Sequence, residues 1–149
     1  LQGDFIDNYR NLVLKSILMW KWFIKSRCMK VKFLLKTDDD VYINTEKLIE
    51  FLHENLDLKN SIIGQIIQNA YVFRMPFSKY YTTCDEYNLP KYPPYCAGQA
   101  CIYTNDLIPK LLRVMNKTSW HWIDDVYCGI LANNARSKFV DISNFMIKK

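Results

Sequence analysis

The sequence predicts an α/β domain in which a mixed sheet is flanked by helices. Three observations carry this expectation. Apolar, strand-length runs stand at 31–36 and 61–68, and helical patterns alternate with them along the chain. Half of the 149 residues are hydrophobic, enough for one domain with a sizeable core across 1–149.

The elements follow in order. Residues 7–26 read as a long helix, with Leu12, Ile17, Met19, Trp20, Phe23 and Ile24 apolar and Arg10, Lys15, Lys21 and Lys25 toward solvent. Its apolar coverage is broad, which predicts a helix wedged into the domain. After the strand at 31–36, Asn44 or Thr45 caps a helix that runs to Asn55, with Leu48, Ile49, Phe51 and Leu52 inward. A second strand spans 61–68. Residues 69–91 lack periodicity and read as loop with short strands. The Tyr92-Pro93-Pro94-Tyr95 run cannot be helical, because proline fixes φ and removes donors. A short strand is expected at 101–103. A helix at 105–116 follows, capped by Asn105 and with Pro109 in its first turn. Another helix opens at Ile123-Asp124-Asp125-Val126 and runs toward Asn134, and 139–142 closes as a strand.

Composition removes several classes. Ten Tyr, eight Phe and four Trp exclude a disordered chain. The net charge of +5 is dispersed, so no nucleic-acid stripe is expected, although a phosphate-bearing small ligand remains compatible. Five cysteines without a CxxC pair argue against a zinc ribbon; they allow at most two disulfides, and the sequence does not choose the pairing. No P-loop, GxGxxG or GxSxG occurs. No apolar run is long enough to span a membrane, and no signal peptide opens the chain, so any targeting segment is expected upstream of Leu1. Asn116-Lys117-Thr118 is an N-glycosylation sequon.

Two acidic sites carry the chemistry. Asp38, Asp39 and Asp40 come directly after an apolar strand, where α/β folds collect ligands at a sheet edge. Three adjacent carboxylates repel one another, and a hard cation with a preference for oxygen ligands relieves that cost. An exposed acidic turn that binds nothing is the plainer alternative. Asp124 and Asp125 open a helix, where the dipole favours carboxylates. Taken alone, simple capping is the better explanation of them; their functional reading is a general base held in a partly dry cleft. Trp120 and Trp122 could stack on a sugar ring or fill the core. His53 reads as surface or packing, and His121 as packing or an acceptor contact rather than a metal ligand.

Several pieces match one family in order and spacing. They are the run from Asp4 to Leu12 (DFIDNYRNL) with Leu14-Lys15, then Lys21-Trp22 and Cys28, the run from Phe33 to Asn44 (FLLKTDDDVYIN), Tyr92-Pro93-Pro94-Tyr95-Cys96-Ala97-Gly98, and Ile123-Asp124-Asp125-Val126-Tyr127-Cys128-Gly129. The chain resembles the β-1,3-glycosyltransferases of family 31, especially the β-1,3-galactosyltransferases. The resemblance implies a GT-A-type (Rossmann-like) fold and inverting transfer of a sugar, here galactose, from a UDP donor to an acceptor glycan hydroxyl. It also implies Mn²⁺ and a type II membrane protein of the Golgi lumen, anchored through a segment outside this chain. On this reading Asp38, Asp39 and Asp40 are the DxD site, with Lys36 beside them on the nucleotide side. Asp40 ligates the metal and Asp38 lies toward the ribose as a second candidate ligand. Asp125 is the catalytic base, with Asp124 at the adjacent acidic position of the motif. Tyr92, Pro93, Pro94, Tyr95 and Gly98 wall the substrate cleft, with Trp120 and Trp122 contributing to it.

Two departures qualify the implied activity. The chain opens almost at the DFIDNY piece, so the strands that grip uracil are expected outside it and the domain is expected to be partial. The family commonly places a metal-binding His near the end of this region, whereas no His follows His121. Transfer of N-acetylglucosamine is the alternative within the class. A catalytically inactive, glycan-binding or partner-stabilising relative is the alternative outside it.

Overall fold

The computed structural model describes residues 2–26 and 30–143, together with the backbone of 147–148. Four helices and six strands follow one another: α1 Leu12–Lys25, β1 Phe33–Thr37, β2 Tyr42–Ile43, α2 Thr45–Glu54, β3 Ser61–Ile67, β4 Tyr95–Thr104, α3 Ile108–Met115, α4 Asp124–Asn134, β5 Lys138–Asp141 and β6 Ile147–Lys148. The main sheet runs β1-β4-β3-β5, and β2 pairs with β6 in a small second sheet. β4 is antiparallel to both β1 and β3, whereas β3 and β5 are parallel. This is the mixed α/β sheet that the sequence predicts, as expected for part of a GT-A-type domain.

Strand alternation sorts side chains to the two faces. Ile62, Cys101 and Tyr103 join a large core with Val13, Ile17, Trp20 and Phe23 of α1, Leu111 of α3, and Tyr127 and Leu131 of α4. Ile63 and Ile102 point the other way, onto Leu48 of α2 and Ile142. Helices therefore cover both faces of the sheet. A third core, of Val72, Tyr92, Trp122, Ile123 and Val126, lies under the 69–91 segment. That segment carries one isolated bridge, Tyr71 to Lys91. It is stapled by Arg74, whose guanidinium donates to the carbonyls of Thr82, Tyr87 and Leu89 at 2.8, 2.6 and 3.1 Å.

Several boundaries differ from expectation. The first helix begins at Leu12, after a 3₁₀ turn at Tyr9–Asn11, because Asn8 is extended and the Asn11 amide donates to the Ile6 carbonyl. Its buried seam is Val13, Ser16, Ile17, Trp20 and Phe23 rather than one starting at Leu12. Ile49 of α2 is exposed, leaving Leu48, Phe51 and Leu52 inward. The helix expected from Asn105 starts at Ile108, because residues 105–107 form a turn. In it, the Asp106 carboxylate accepts from the Asn60 N–H at 3.0 Å and from Lys110 at 3.3 Å. The largest correction is β4, read from sequence as 101–103 and found to span Tyr95–Thr104.

The extra length of β4 is irregular. Gly64 pairs with Cys101, but Ile66 pairs with Cys96, so residues 97–100 bulge opposite the single residue Gln65. Bulges re-aim backbone and side chains next to sites. Gly64 permits this one: a Cβ there would stand 2.4 Å from Cys96 Sγ and 2.8 Å from the Ala100 carbonyl oxygen. Gly129 permits α4 to lie directly on the strand's start, since a Cβ would fall 2.3 Å from Tyr95 Cβ and 2.7 Å from the Pro94 oxygen. Gly129→Ala is therefore expected to lower unfolding stability by about 1–3 kcal/mol. A urea titration checks this; an unchanged midpoint would show that α4 has room to move.

Candidate active site

The bulge in β4 brings the two acidic segments together. On one side, the Asp38 N–H donates to the Gln99 carbonyl at 3.0 Å, and the Thr37 hydroxyl donates to the same oxygen at 3.1 Å. This fixes the start of the turn that carries Asp38, Asp39 and Asp40, all three exposed. On the other side, the Gly98 backbone lies beside Asp125, and its N–H weakly favours the charged carboxylate. A Cβ on Gly98 would stand 3.7 Å from Asp125 Cβ and 4.0 Å from its Oδ2, ordinary contact distances, so the bulge and the head of α4 lie against one another. The Gln99 and Gln65 side-chain amides bond across the gap at 2.7 Å, bracing the bulge.

A second tie crosses from strand to helix. Lys36 of β1 makes a short, part-buried ion pair with Asp124 of α4, eighty-eight residues away in sequence. Burial alone pulls the Lys36 ammonium down, but the Asp124 carboxylate beside it more than offsets this and holds its pKa above the ordinary value. The other Asp124 oxygen accepts weakly from Cys128 Sγ at 3.8 Å. Asp124 is therefore committed to the Lys36 pair, whereas Asp125 has no ion-pair partner among the described residues.

Asp125 carries a perturbed carboxyl group. Burial raises its pKa, opposed by the Val126 N–H, which donates to Oδ1 at 2.8 Å; Asp124 adds to the rise, and Lys36 and the Gly98 N–H oppose it. A carboxylate pushed upward in a cleft has the character of a general base. Around it, burial pushes the Tyr95 hydroxyl up to about 12, with the Asp125 charge contributing. Burial likewise pushes Tyr9 up to about 12, with Tyr80 and the two aspartates adding to the effect. The Arg10 guanidinium lies over the Trp122 ring at 4.9 Å, and the Lys79 ammonium lies 5.0 Å from each of the Tyr9 and Tyr80 rings. Of these rim residues, the sequence singles out Tyr95 and Trp122 as site residues but not Tyr9, Arg10, Lys79 or Tyr80. The DFIDNYRNL run that supplies Tyr9 and Arg10 is the available signal.

The aromatic candidates separate. Trp122 is 6% exposed and packs edge-on against Tyr9, with its indole N–H buried and unpaired. Trp120 is 48% exposed and tilts against Tyr127 on the flank of α4. Tyr92 points into the third core, while Pro93 and Pro94 are half-buried beside Tyr95. The Tyr92 hydroxyl donates to Thr82 Oγ1 at 3.0 Å and faces His121 Nε2 at 3.4 Å. His121 Nδ1 accepts from the Ile123 N–H at 3.2 Å, which places the ring proton on Nε2.

This buried relay ties the 69–91 segment to the residue just before α4. Burial lowers the His121 pKa from 6.5 to about 4, opposed only weakly by Glu86. The unfolded chain therefore binds a proton that the folded one refuses. The stability tied to neutral His121 is complete above pH 6.5 and is lost as pH falls toward 4. The loss is expected to be about 2–4 kcal/mol across that window. Urea unfolding at pH 7 and pH 4.5 should show it in the wild type, with a smaller acid loss in His121→Gln; equal losses in both would assign the effect to other groups.

Among the described residues, no group of three or more His, Cys, Asp or Glu side chains is arranged to hold a metal ion. Cys84, Cys96, Cys101 and Cys128 are free thiols, and Cys28 lies outside the described residues. Residues 144–146 and 149 of the tail, where sequence reading looked for a metal-binding His, also lie outside them.

A family model described as Galactosyltransferase matches residues 1–143. The chain is 35% identical over 133 residues to UDP-GalNAc:beta-1,3-N-acetylgalactosaminyltransferase 1 of Rattus norvegicus, covering 89% of this chain and 40% of that protein. It is 35% identical over 136 residues to lactosylceramide 1,3-N-acetyl-beta-D-glucosaminyltransferase of Homo sapiens, covering 89% and 36%. It is 31% identical over 130 residues to beta-1,3-galactosyltransferase 5 of Pan paniscus, covering 87% and 43%. The chain thus spans about two fifths of the length of these curated relatives. The match takes in every segment that builds the bulge and its two acidic flanks, and on it the chain belongs to the galactosyltransferase family.

Proposed function

We propose that the intact protein is an inverting β-1,3-hexosyltransferase that moves galactose from UDP-galactose to a hydroxyl of an acceptor glycan on a protein or lipid. The observation that supports this best is the β4 bulge, which holds the Asp38 N–H through the Gln99 carbonyl and sets Gly98 beside Asp125. A donor held at the acidic turn and an acceptor hydroxyl presented to Asp125 would meet across it.

In the reaction, Asp125 takes the proton of the acceptor hydroxyl as its oxygen attacks the anomeric carbon. The new C–O bond forms on the face opposite UDP, the bond to the diphosphate oxygen breaks, and UDP leaves with that electron pair. A positioned carboxylate base contributes on the order of 10²–10⁴ in rate. The Lys36–Asp124 pair acts by position: it anchors the end of β1 to the start of α4, and so the acidic turn to the base.

The donor set at the turn suits a hard divalent cation. Asp38 and Asp40 are exposed carboxylates with no ion-pair partner among the described residues, and such ions take one or two carboxylates while substrate phosphates complete the shell. Asp40 and Asp38 would hold Mn²⁺, which when bound neutralises charge on the diphosphate as a Lewis acid. We place the protein at the lumenal side of the Golgi membrane, anchored by a segment outside this chain. No helix among the described residues is long and apolar enough to cross a membrane.

The names of the relatives favour a second donor reading, an N-acetylhexosamine. UDP release from the intact protein, with UDP-galactose, UDP-GalNAc and UDP-GlcNAc tested against neutral oligosaccharide acceptors, discriminates. Turnover is expected to be highest with UDP-galactose. Turnover confined to an N-acetyl donor would replace the donor while keeping the transfer. No turnover with any donor, together with no thermal shift in millimolar UDP and Mn²⁺, would leave the inactive relative as the reading.

A further inference from the structure

A cavity of about 500 Å³ opens on the flank of α4 away from the β4 bulge, with Asp85, Glu86, Asn88, Lys117, Trp120 and Asn134 in its lining. Its composition suits a saccharide: one exposed indole face, which can lie against the C–H face of a sugar ring, surrounded by carboxylate and amide groups that bond hydroxyls. The Trp120 ring is held from behind by Tyr127, with ring centroids 5.3 Å apart. The sequon Asn116-Lys117-Thr118 adjoins this cavity, and Lys117 and Thr118 belong to its wall. Asn116 follows the last residue of α3 and is exposed.

We propose that Asn116 carries an N-linked glycan whose first sugars lie in this cavity against Trp120. The inference rests on the reading that the chain enters the secretory lumen. Attachment forms a bond from Asn116 Nδ2 to C1 of an N-acetylglucosamine and breaks the bond from C1 to a lipid-linked pyrophosphate. The amide loses a proton and the lipid pyrophosphate departs. Folding sets the order of events. In the folded chain the Thr118 hydroxyl donates to the Val114 carbonyl at 2.9 Å and accepts from the Asn134 amide at 3.0 Å. The sequon hydroxyl is thus engaged once α3 and α4 have packed, so the sugar is added to the emerging chain before that turn closes. Once attached, the glycan covers an exposed aromatic ring with a partner tethered four residues away.

The test expresses the intact protein in cultured animal cells with a reporter sequon appended to its C-terminus. Glycopeptide mass spectrometry should find Asn116 occupied, and Asn116→Gln should remove one endoglycosidase-sensitive species. Oxidation of Trp120 by N-bromosuccinimide, followed by peptide mapping, should be several-fold slower in the glycosylated protein than after endoglycosidase treatment or in Asn116→Gln. An occupied reporter with an empty Asn116 overturns the proposal and leaves the lumenal reading standing. If both are empty, both ideas fall. An occupied Asn116 with Trp120 oxidised equally fast in all three forms overturns the seating of the glycan, and the proposal with it.

Discussion

Asp125→Asn is expected to lower kcat by on the order of 10²–10⁴ while UDP binding stays at the wild-type level. The amide preserves shape, and its oxygen can still accept from the Val126 N–H that donates to Asp125 at 2.8 Å. What it cannot do is take a proton. The pH profile gives an independent check. Burial raises the Asp125 pKa, so the base is lost by protonation at a pH above the ordinary carboxylate value of 3.8. The acid limb of kcat/KM in the wild type should therefore lie above that value, and the residual activity of the variant should lack it. The sign for stability runs the same way: the folded state holds this proton more tightly, so Asp125 subtracts stability as pH rises through the ordinary carboxylate range. Near-wild-type turnover in the variant would remove Asp125 from the mechanism.

The second large effect concerns the tie between strand and helix. Lys36→Met leaves the Asp124 carboxylate, whose side chain is 11% exposed, without its cation. Removing one partner of a buried pair is strongly destabilising, because the remaining charge is stranded. With the Lys36 side chain 22% exposed, solvent softens the loss to about 2–3 kcal/mol. The double change Lys36→Met, Asp124→Leu should recover most of it, since an apolar pair of similar volume strands no charge. Urea midpoints for the two single variants and the double complete the cycle. If the double variant is as unstable as the sum of the singles, the two residues act independently and the anchoring role is lost.

Much of the fold is legible because its signals are local. Asn44 reads as a helix cap, and its side chain accepts from the Lys47 N–H at 3.1 Å. Pro109 stands in the first turn of α3, where its missing N–H is harmless, and the apolar run of β3 falls within a residue of its expected bounds. The acidic residues are visible for the same reason: a carboxylate run after a strand, and a pair at a helix start. What joins them is not local. The bulge at 97–100 exists because Cys96 and Cys101 pair with Ile66 and Gly64 thirty or more residues upstream, and no window around Gly98 records that. The Lys36–Asp124 pair is equally non-local. Trp120 and Trp122 look equivalent in sequence, two residues apart. Yet one lies on the flank of α4 and the other in the core beside Tyr9. Tyr92 reads as a cleft residue beside the prolines, but its ring is drawn inward by Thr82 and His121.

The central claim is that the acidic turn and Asp125 serve one site across the β4 bulge. A crystal structure of the intact protein with UDP and Mn²⁺ tests it most directly. The diphosphate and the ion are expected at Asp38 and Asp40, with the open side of the nucleotide facing Gly98 and Asp125. Nucleotide bound away from the bulge, with Asp125 turned from it, would mean that the two acidic segments do not serve one site.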